Sequence, residues 1–342
     1  MRRARTPRRT LLTGVLGVLS ILTAVVACSS PSGSGDGQGA TSGVVTTTST
    51  TSSTSSGAST TTDTTSTTTD TASTTTTATV PGAVPVTKLL VFVVENHSLA
   101  QMRAQMPYTY RLAKNYGYAT GYFGIRHPSL PNYLAIASGS THAVTTNAAP
   151  ADNVTVRGAS VFGRAIAAGR AAAVYADAMP GRCALQPKGR YAVKHNPWPY
   201  FAQERSLCRQ HDLPVTALGP AVDAGTLPHA GMVVPDLCHD AHDCSLATAD
   251  RWFRTWMTRI QAGPDWRSGH LAVVLTADED DKSAGNRVLT VVAHPSQRHR
   301  VVTQRLDHYS LTRLYAEVTG TTPLGRAAKA PSMAKAFQLP LP

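Results

Sequence analysis

The sequence predicts an α/β fold built on a mostly parallel sheet, and three observations predict it. Leu89 to Val94 and Leu271 to Leu275 are unbroken apolar runs of strand length, the pattern of strands buried on both faces. Each run ends in a polar cluster, Glu95-Asn96-His97-Ser98 after the first and Asp278-Glu279-Asp280-Asp281 after the second. Open α/β sheets place their chemistry at such strand ends. Between the runs, helical and strand periodicities alternate as they do in βαβ units.

The elements that precede this domain are of another kind. Arg2, Arg3, Arg5, Arg8 and Arg9 stand before an apolar stretch from Leu11 to Ala27, the profile of a secretory signal, so residues 1–27 read as a leader. Val25-Val26-Ala27-Cys28 resembles a bacterial lipobox, with Cys28 as the lipidated residue and membrane anchor. Arg8-Arg9-Thr10-Leu11-Leu12 resembles a twin-arginine export signal, and the general secretory route stays open beside it. Residues 28–84 are almost wholly Ser, Thr, Gly and Ala, too poor in large apolar groups to offset the entropy of ordering. They read as a disordered tether that holds an extracytoplasmic domain, residues 85–342, away from the membrane.

The formal charge of +12 includes five leader arginines and three tether aspartates, which leaves +10 on residues 85–342. Such a domain suits anionic substrates or surfaces. With no long Lys/Arg tract interleaved with aromatics, a nucleic-acid partner is not expected. Cys183, Cys208, Cys238 and Cys244 are an even set in an exported domain and read as two disulfides. Three connectivities are possible, and proximity favours Cys183 with Cys208 and Cys238 with Cys244. A zinc site of Cys238, His239, His242 and Cys244 is the rival.

Within the domain, Lys88 to Val94 is the first strand. A helix follows from about Pro107, suited to a first helical position, to Asn115, with Gly117 as its stop. His127 to Pro131 is a proline-bracketed loop, and Asn132 to Ser138 a short apolar helix ended by Gly139. Val161 to Ala168 reads as a helix and Ala171 to Tyr175 as a strand. Met179 to Pro235 reads as an irregular insertion stapled by cysteines. Asp250 is placed to cap a helix from Arg251 to Gln261, with Trp252, Phe253, Trp256 and Ile260 on its core face. Val288 to Ala293 is a third buried strand, and Asp307 caps a helix from His308 to Val318.

The loop His127-Pro128-Ser129-Leu130-Pro131-Asn132-Tyr133 places a serine near a helix start, which favours anions. If the two strand ends are neighbours, Glu95, Asn96, Asp278 and Glu279 offer the oxygen donors that hard divalent cations take; the plainer reading is a pair of helix caps. A cation beside Ser129 would lower the alcohol's pKa and polarise a phosphoryl oxygen. A serine-hydrolase triad wants a GxSxG elbow, and Ala137-Ser138-Gly139-Ser140 lacks the first glycine.

These residues resemble a known family. Val94-Glu95-Asn96-His97-Ser98, Met106-Pro107-Tyr108, His127 to Tyr133, Lys194-His195-Asn196-Pro197, Pro235 to Cys244, Asp278-Glu279-Asp280 and Asp307-His308-Tyr309-Ser310 are similar, in order, to motifs of the bacterial phosphoesterases. That family includes acid phosphatases and phospholipases C of the alkaline-phosphatase-like superfamily. The resemblance implies a three-layer α/β/α sandwich with its site at the strand C-termini. It further implies one divalent cation (Ca, Mg or Mn) held by Glu95, Asn96, Ser129, Asp278 and Glu279, and Ser129 as a nucleophile that forms a transient phosphoserine. His127, His195, His242 and His308 are its candidate phosphate-site histidines. His242 is the first choice for protonating the leaving oxygen, oriented by Asp240 or Asp243, and His195 with Asn196 and Asn132 are phosphate-side donors. The expected activity is hydrolysis of small phosphate monoesters. Phosphodiester or phospholipid-headgroup cleavage is the alternative, and a non-catalytic lipoprotein that binds anionic wall polymer is the rival from another class.

Overall fold

The computed structural model describes residues 84–342. The expected leader, the expected tether up to residue 83 and Cys28 lie outside them. The strands in chain order are β1 (Lys88–Val94), β2 (Gly117–Phe123), β3 (Ala172–Ala176), β4 (Asp212–Pro214), β5 (Ala230–Val234), β6 (Leu271–Ala277), β7 (Arg287–Ala293), β8 (Arg300–Val302) and β9 (Leu306–Asp307). The helices are α1 (Leu99–Gln105), α2 (Pro107–Asn115), α3 (Ser129–Ser138), α4 (Val161–Ala167), α5 (Arg205–His211), α6 (Leu218–Asp223), α7 (Leu246–Ala262), α8 (Pro264–Arg267), α9 (His308–Thr319) and α10 (Met333–Phe337).

All nine strands form one sheet in the order β4-β3-β5-β1-β6-β7-β2-β8, with β9 also pairing β2. Pairing is parallel except where β7 runs against β6 and β2. Helices α1, α2 and α7 pack together, as do α3, α4 and α9, and the two groups cover the sheet as the outer layers of an α/β/α sandwich. β1 and β6 are therefore buried along almost their whole length, which is why their sequences run apolar without alternation. Phe92 of β1 meets Phe253 of α7 edge-on, with centroids 5.1 Å apart; burying each such ring contributes roughly 2–3 kcal/mol.

Three expectations change. The stretch from Met179 to Pro235 is not wholly irregular, because it holds β4, α5, α6 and the central strand β5, which pairs both β1 and β3. Gly117 does not simply stop a helix; it opens β2, whose Tyr and Gly residues gave no apolar run. Asp250 does not cap its own helix. Ser245 caps α7 by accepting from the Thr248 amide, while Asp250 reaches across to α2 and accepts from the Tyr108 and Thr109 amides at 2.9 and 2.8 Å. A carboxylate at a foreign helix start satisfies the same orphan donors as a local cap.

Cys183–Cys208 and Cys238–Cys244 are disulfides, so no thiolates are left for the zinc alternative. Asn196, expected at the phosphate, is fully buried beside the first disulfide. Its Nδ2 donates to both oxygens of Asp212 at 3.0 and 2.9 Å and to Tyr191 Oη at 3.2 Å. It fails as a substrate ligand because its amide is committed to a buried carboxyl. Burial pushes that carboxyl up to about 7, against the hydrogen bonds from Asn196 and the Cys183 amide. The native state therefore holds a proton that the unfolded chain has lost between about pH 4 and 7, and stability falls as pH rises through that window. Asp212→Asn removes the titrating group. The expected result is a variant whose unfolding free energy, measured in denaturant at pH 5 and pH 8, falls less at the higher pH than the parent's. Parallel pH profiles would refute the assignment.

Candidate active site

Register builds the site. Val94 of β1 lies opposite Ala277 of β6, so the residues that follow, Glu95 and Asp278, emerge side by side. Asn96 takes a positive φ of 53°, a conformation Asn tolerates, and its amide donates to Asp278 Oδ1 at 3.1 Å. The chain then enters α1 through a capping box on Ser98. Gly124 presses on the same strand end: a Cβ there would lie 2.6 Å from the Asp278 carbonyl oxygen.

Ser129 is the first residue of α3, which begins at Ser129 rather than Asn132, and it is 2% exposed. Its hydroxyl donates to Glu95 Oε2 at 2.9 Å. One turn on, Tyr133 donates to Glu95 Oε1 at 2.8 Å, since residues i and i+4 share a helix face. Asn132, also expected at the phosphate, is fully buried and committed to structure. Its Oδ1 accepts from the Ile125 amide, and its Nδ2 donates to Glu279 Oε2 at 3.0 Å. It positions a carboxylate instead of meeting a ligand.

Glu95, Asp278 and Glu279 are thus three buried carboxylates at the neighbouring ends of β1 and β6. Burial first, then Glu95 and Glu279, push the Asp278 carboxyl well above the usual range. Burial also raises Glu279, against the pull of His127. Glu95 goes the other way: burial opposes ionisation, yet His195 and then Lys194 hold it down to about 2. Asp278 Oδ2 is buried and has no hydrogen-bond partner. An orphaned carboxylate oxygen among two further carboxylates, an amide and a hydroxyl is a donor set that fits a hard divalent cation.

Above this base opens a cleft of about 400 Å³, lined among others by Asn96, His127, Ser129, Lys194, His242 and Glu279. His127 lies 3.2 Å from both Glu279 Oε1 and Asp280 Oδ1. His242 Nδ1 is 2.7 Å from Asp243 Oδ1, so Asp243 orients the ring, while Asp240 accepts from the His242 backbone amide. His195 does not line the cleft. It is fully buried, with Nε2 3.1 Å from Glu95 and Nδ1 2.9 Å from Asp240, and it stacks on Tyr133. Burial opposes its charge, but Glu95 and Asp240 raise it to about 8. It supports Glu95 and is not placed to touch a phosphate.

His308 is likewise corrected. It is fully buried behind Asp278, with Nδ1 facing Tyr122 Oη at 3.0 Å and Nε2 facing the Asp278 carbonyl oxygen at 2.5 Å. Burial drives it down to about 4, so it is a neutral prop, beside the Asp307 cap of α9. His239 pairs with Asp177 at 2.7 Å and stacks on Trp252, outside the cleft. Ser138, in the only local GxSxG-like segment, is the last residue of α3 and donates back to Leu134 O, not a nucleophile's turn.

Sequence reasoning missed Tyr133, Lys194 and two further residues that line the cleft, Asn147 and Lys282. Tyr133 was readable from its i+4 spacing to Ser129. Lys194 was not, because a 3₁₀ turn over Val193–His195 sends adjacent side chains to different sides, and the turn's orientation depends on how the insertion packs.

A sequence model of the Phosphoesterase family matches residues 100–320, and the chain belongs to that family. It is a hydrolase acting on phosphoric ester bonds. Its relatives include a phosphatidylinositol-3-phosphatase of Mycobacterium tuberculosis, 28% identical over 73% of this chain and 82% of the relative. A phosphate-repressible acid phosphatase of Penicillium chrysogenum is 27% identical over 63% of this chain, which spans only 55% of that longer relative. Among solved structures, a protein of the alkaline phosphatase superfamily from Vibrio parahaemolyticus superimposes with a TM-score of 0.50 at 9% identity, covering 75% of this chain and 72% of that one. The likeness shows the fold: an α/β/α sandwich of alkaline-phosphatase type.

Proposed function

We propose that the chain is an exported enzyme, anchored to the cell membrane through lipidated Cys28, that hydrolyses small phosphate monoesters by way of a phosphoserine on Ser129. The observation that carries this reading is the placement of the Ser129 hydroxyl, at a helix start and 2.9 Å from Glu95, whose neighbour at the adjoining strand end, Asp278, holds an unpartnered buried oxygen. Glu95, Asn96, Ser129, Asp278 and Glu279 would hold one divalent cation. When bound, that ion supplies Lewis-acid stabilisation of the alcohol and of phosphoryl charge.

The protein's own groups do the rest. The N-terminal end of α3, which Ser129 opens, favours the incoming anion through the helix dipole, while the Leu130 amide is held by Asn147 Oδ1. Asn132 fixes Glu279, and the Tyr133 and His195 contacts fix Glu95. His242, oriented by Asp243 at the cleft, delivers a proton to the leaving oxygen and then accepts one from the water that frees Ser129. The names of the relatives, an acid phosphatase and a phosphatidylinositol-3-phosphatase, support removal of a terminal phosphate over cleavage within a diester. The second name keeps a lipid-borne monoester among the substrates to test.

The purified protein is expected to release phosphate from an aryl monoester faster than it cleaves an aryl diester or phosphatidylcholine vesicles. It should lose that activity to a chelator and regain it with one of Ca, Mg or Mn. Phosphatidylinositol 3-phosphate in vesicles is the lipid arm. Undiminished turnover after exhaustive chelation overturns the cation, and faster diester cleavage overturns the substrate class.

A further inference from the structure

Two lysines line the cleft, Lys194 and Lys282. Lys282 is exposed at the rim, whereas the Lys194 side chain is only 18% exposed. Lys194 Nζ lies 3.9 Å from Glu95 Oε2, the same oxygen to which Ser129 donates at 2.9 Å. Its ammonium and the Ser129 hydroxyl thus share one acceptor. Lys194 Nζ also lies 3.2 Å from His242 Nε2, on the far side of the ring from Asp243.

The proton inventory of this chain of contacts is informative. A lysine ammonium has donors only, so the His242 nitrogen facing it must be the acceptor, and the proton on Nδ1 points to Asp243. A phosphoryl group seated at Ser129 would give the ammonium an oxygen acceptor of its own. A monoester dianion offers two full charges on its non-bridging oxygens and a diester offers one, so a lysine at this position rewards the dianion more.

We propose that Lys194 binds a non-bridging phosphoryl oxygen and makes this site select doubly charged phosphate monoesters over singly charged diesters. The proposal rests on the reading of Ser129 as the attacking group at the floor of the cleft. Lys194 touches substrate, and Asp243 acts through His242 as a positioning residue.

The test compares the full chain with K194Q and K194R on 4-nitrophenyl phosphate and on methyl 4-nitrophenyl phosphate. A charge-assisted hydrogen bond lost from the dianion predicts about a 100-fold fall in kcat/KM on the monoester for K194Q, and about 5-fold or less on the diester. K194R, which keeps the charge, should recover most of the monoester rate. In calorimetry, inorganic phosphate should bind K194Q about tenfold or more weakly than the parent. Equal losses on both esters, with K194R no better than K194Q, would show a merely supporting role for Glu95 or His242 and overturn the proposal. Unchanged phosphate affinity in K194Q overturns it as well. If the parent itself cleaves neither ester, the reading of the site falls; if the parent is active but its ester preference survives K194Q, this inference falls by itself.

Discussion

Ser129→Ala is expected to lower turnover of an aryl phosphate by about 10³-fold or more, while the thermal midpoint moves by no more than about 2–4 °C. The first half follows from geometry. Among the residues lining the cleft, Ser129 is the one hydroxyl, and it opens a helix whose positive dipole end favours an anion. The second half follows from its partners. Losing the hydroxyl leaves Glu95 Oε2 with Asn96 Nδ2 at 3.3 Å and His195 at 3.1 Å, so no buried charge is stranded, and loss of one small polar atom from a helix start costs about 1 kcal/mol. Loss of fold together with activity would show that Ser129 is structural. Retained activity would remove it from the chemistry.

Asp278→Asn should separate function from stability in the opposite direction. The carboxyl is fully buried and is pushed up by burial and by two carboxylate neighbours, with one oxygen unpartnered. Without a cation it is a destabilising group. Asparagine keeps the shape and the acceptor for the Asn96 amide while removing the charge. The metal-free variant should therefore melt no lower than the metal-free parent, and about 2–4 °C higher if roughly 1 kcal/mol of repulsion is relieved. Calorimetric binding of the divalent cation should weaken by about 100-fold or more, and activity should fall with it. A cation that binds both proteins equally would place the metal elsewhere.

How far the sequence led is clear from particular residues. The ends of β1 and β6 were legible because strands buried on both faces must be apolar throughout, so the switch to Glu95 and Asp278 stands out. Ser129 was legible from its proline-bracketed approach to a helix. Strand β5 was not, because Ala230–Val234 is five residues long and includes Gly231, where a Cβ would come within 2.8 Å of Leu90 Cδ1. Close approach between neighbouring strands demanded a residue that weakens the strand pattern. Nor were the roles of the histidines legible. His195, His242 and His308 each sit in a suggestive motif, yet one is buried beneath the site, one lines it and one props it from behind. That sorting is set by the packing of the stapled insertion and of α9 against the strand ends, contacts that no local periodicity encodes.

The central claim is that phosphorus is transferred to Ser129 before water receives it. Its most direct measurement is an acid quench during steady turnover of an aryl monoester, followed by mass spectrometry of the peptide spanning His127 to Tyr133. The account predicts a phosphate on Ser129 that accumulates within the first turnovers and is absent in Ser129→Ala. A fully active enzyme whose Ser129 peptide never carries phosphate, under quench conditions that preserve phosphoserine, would contradict it.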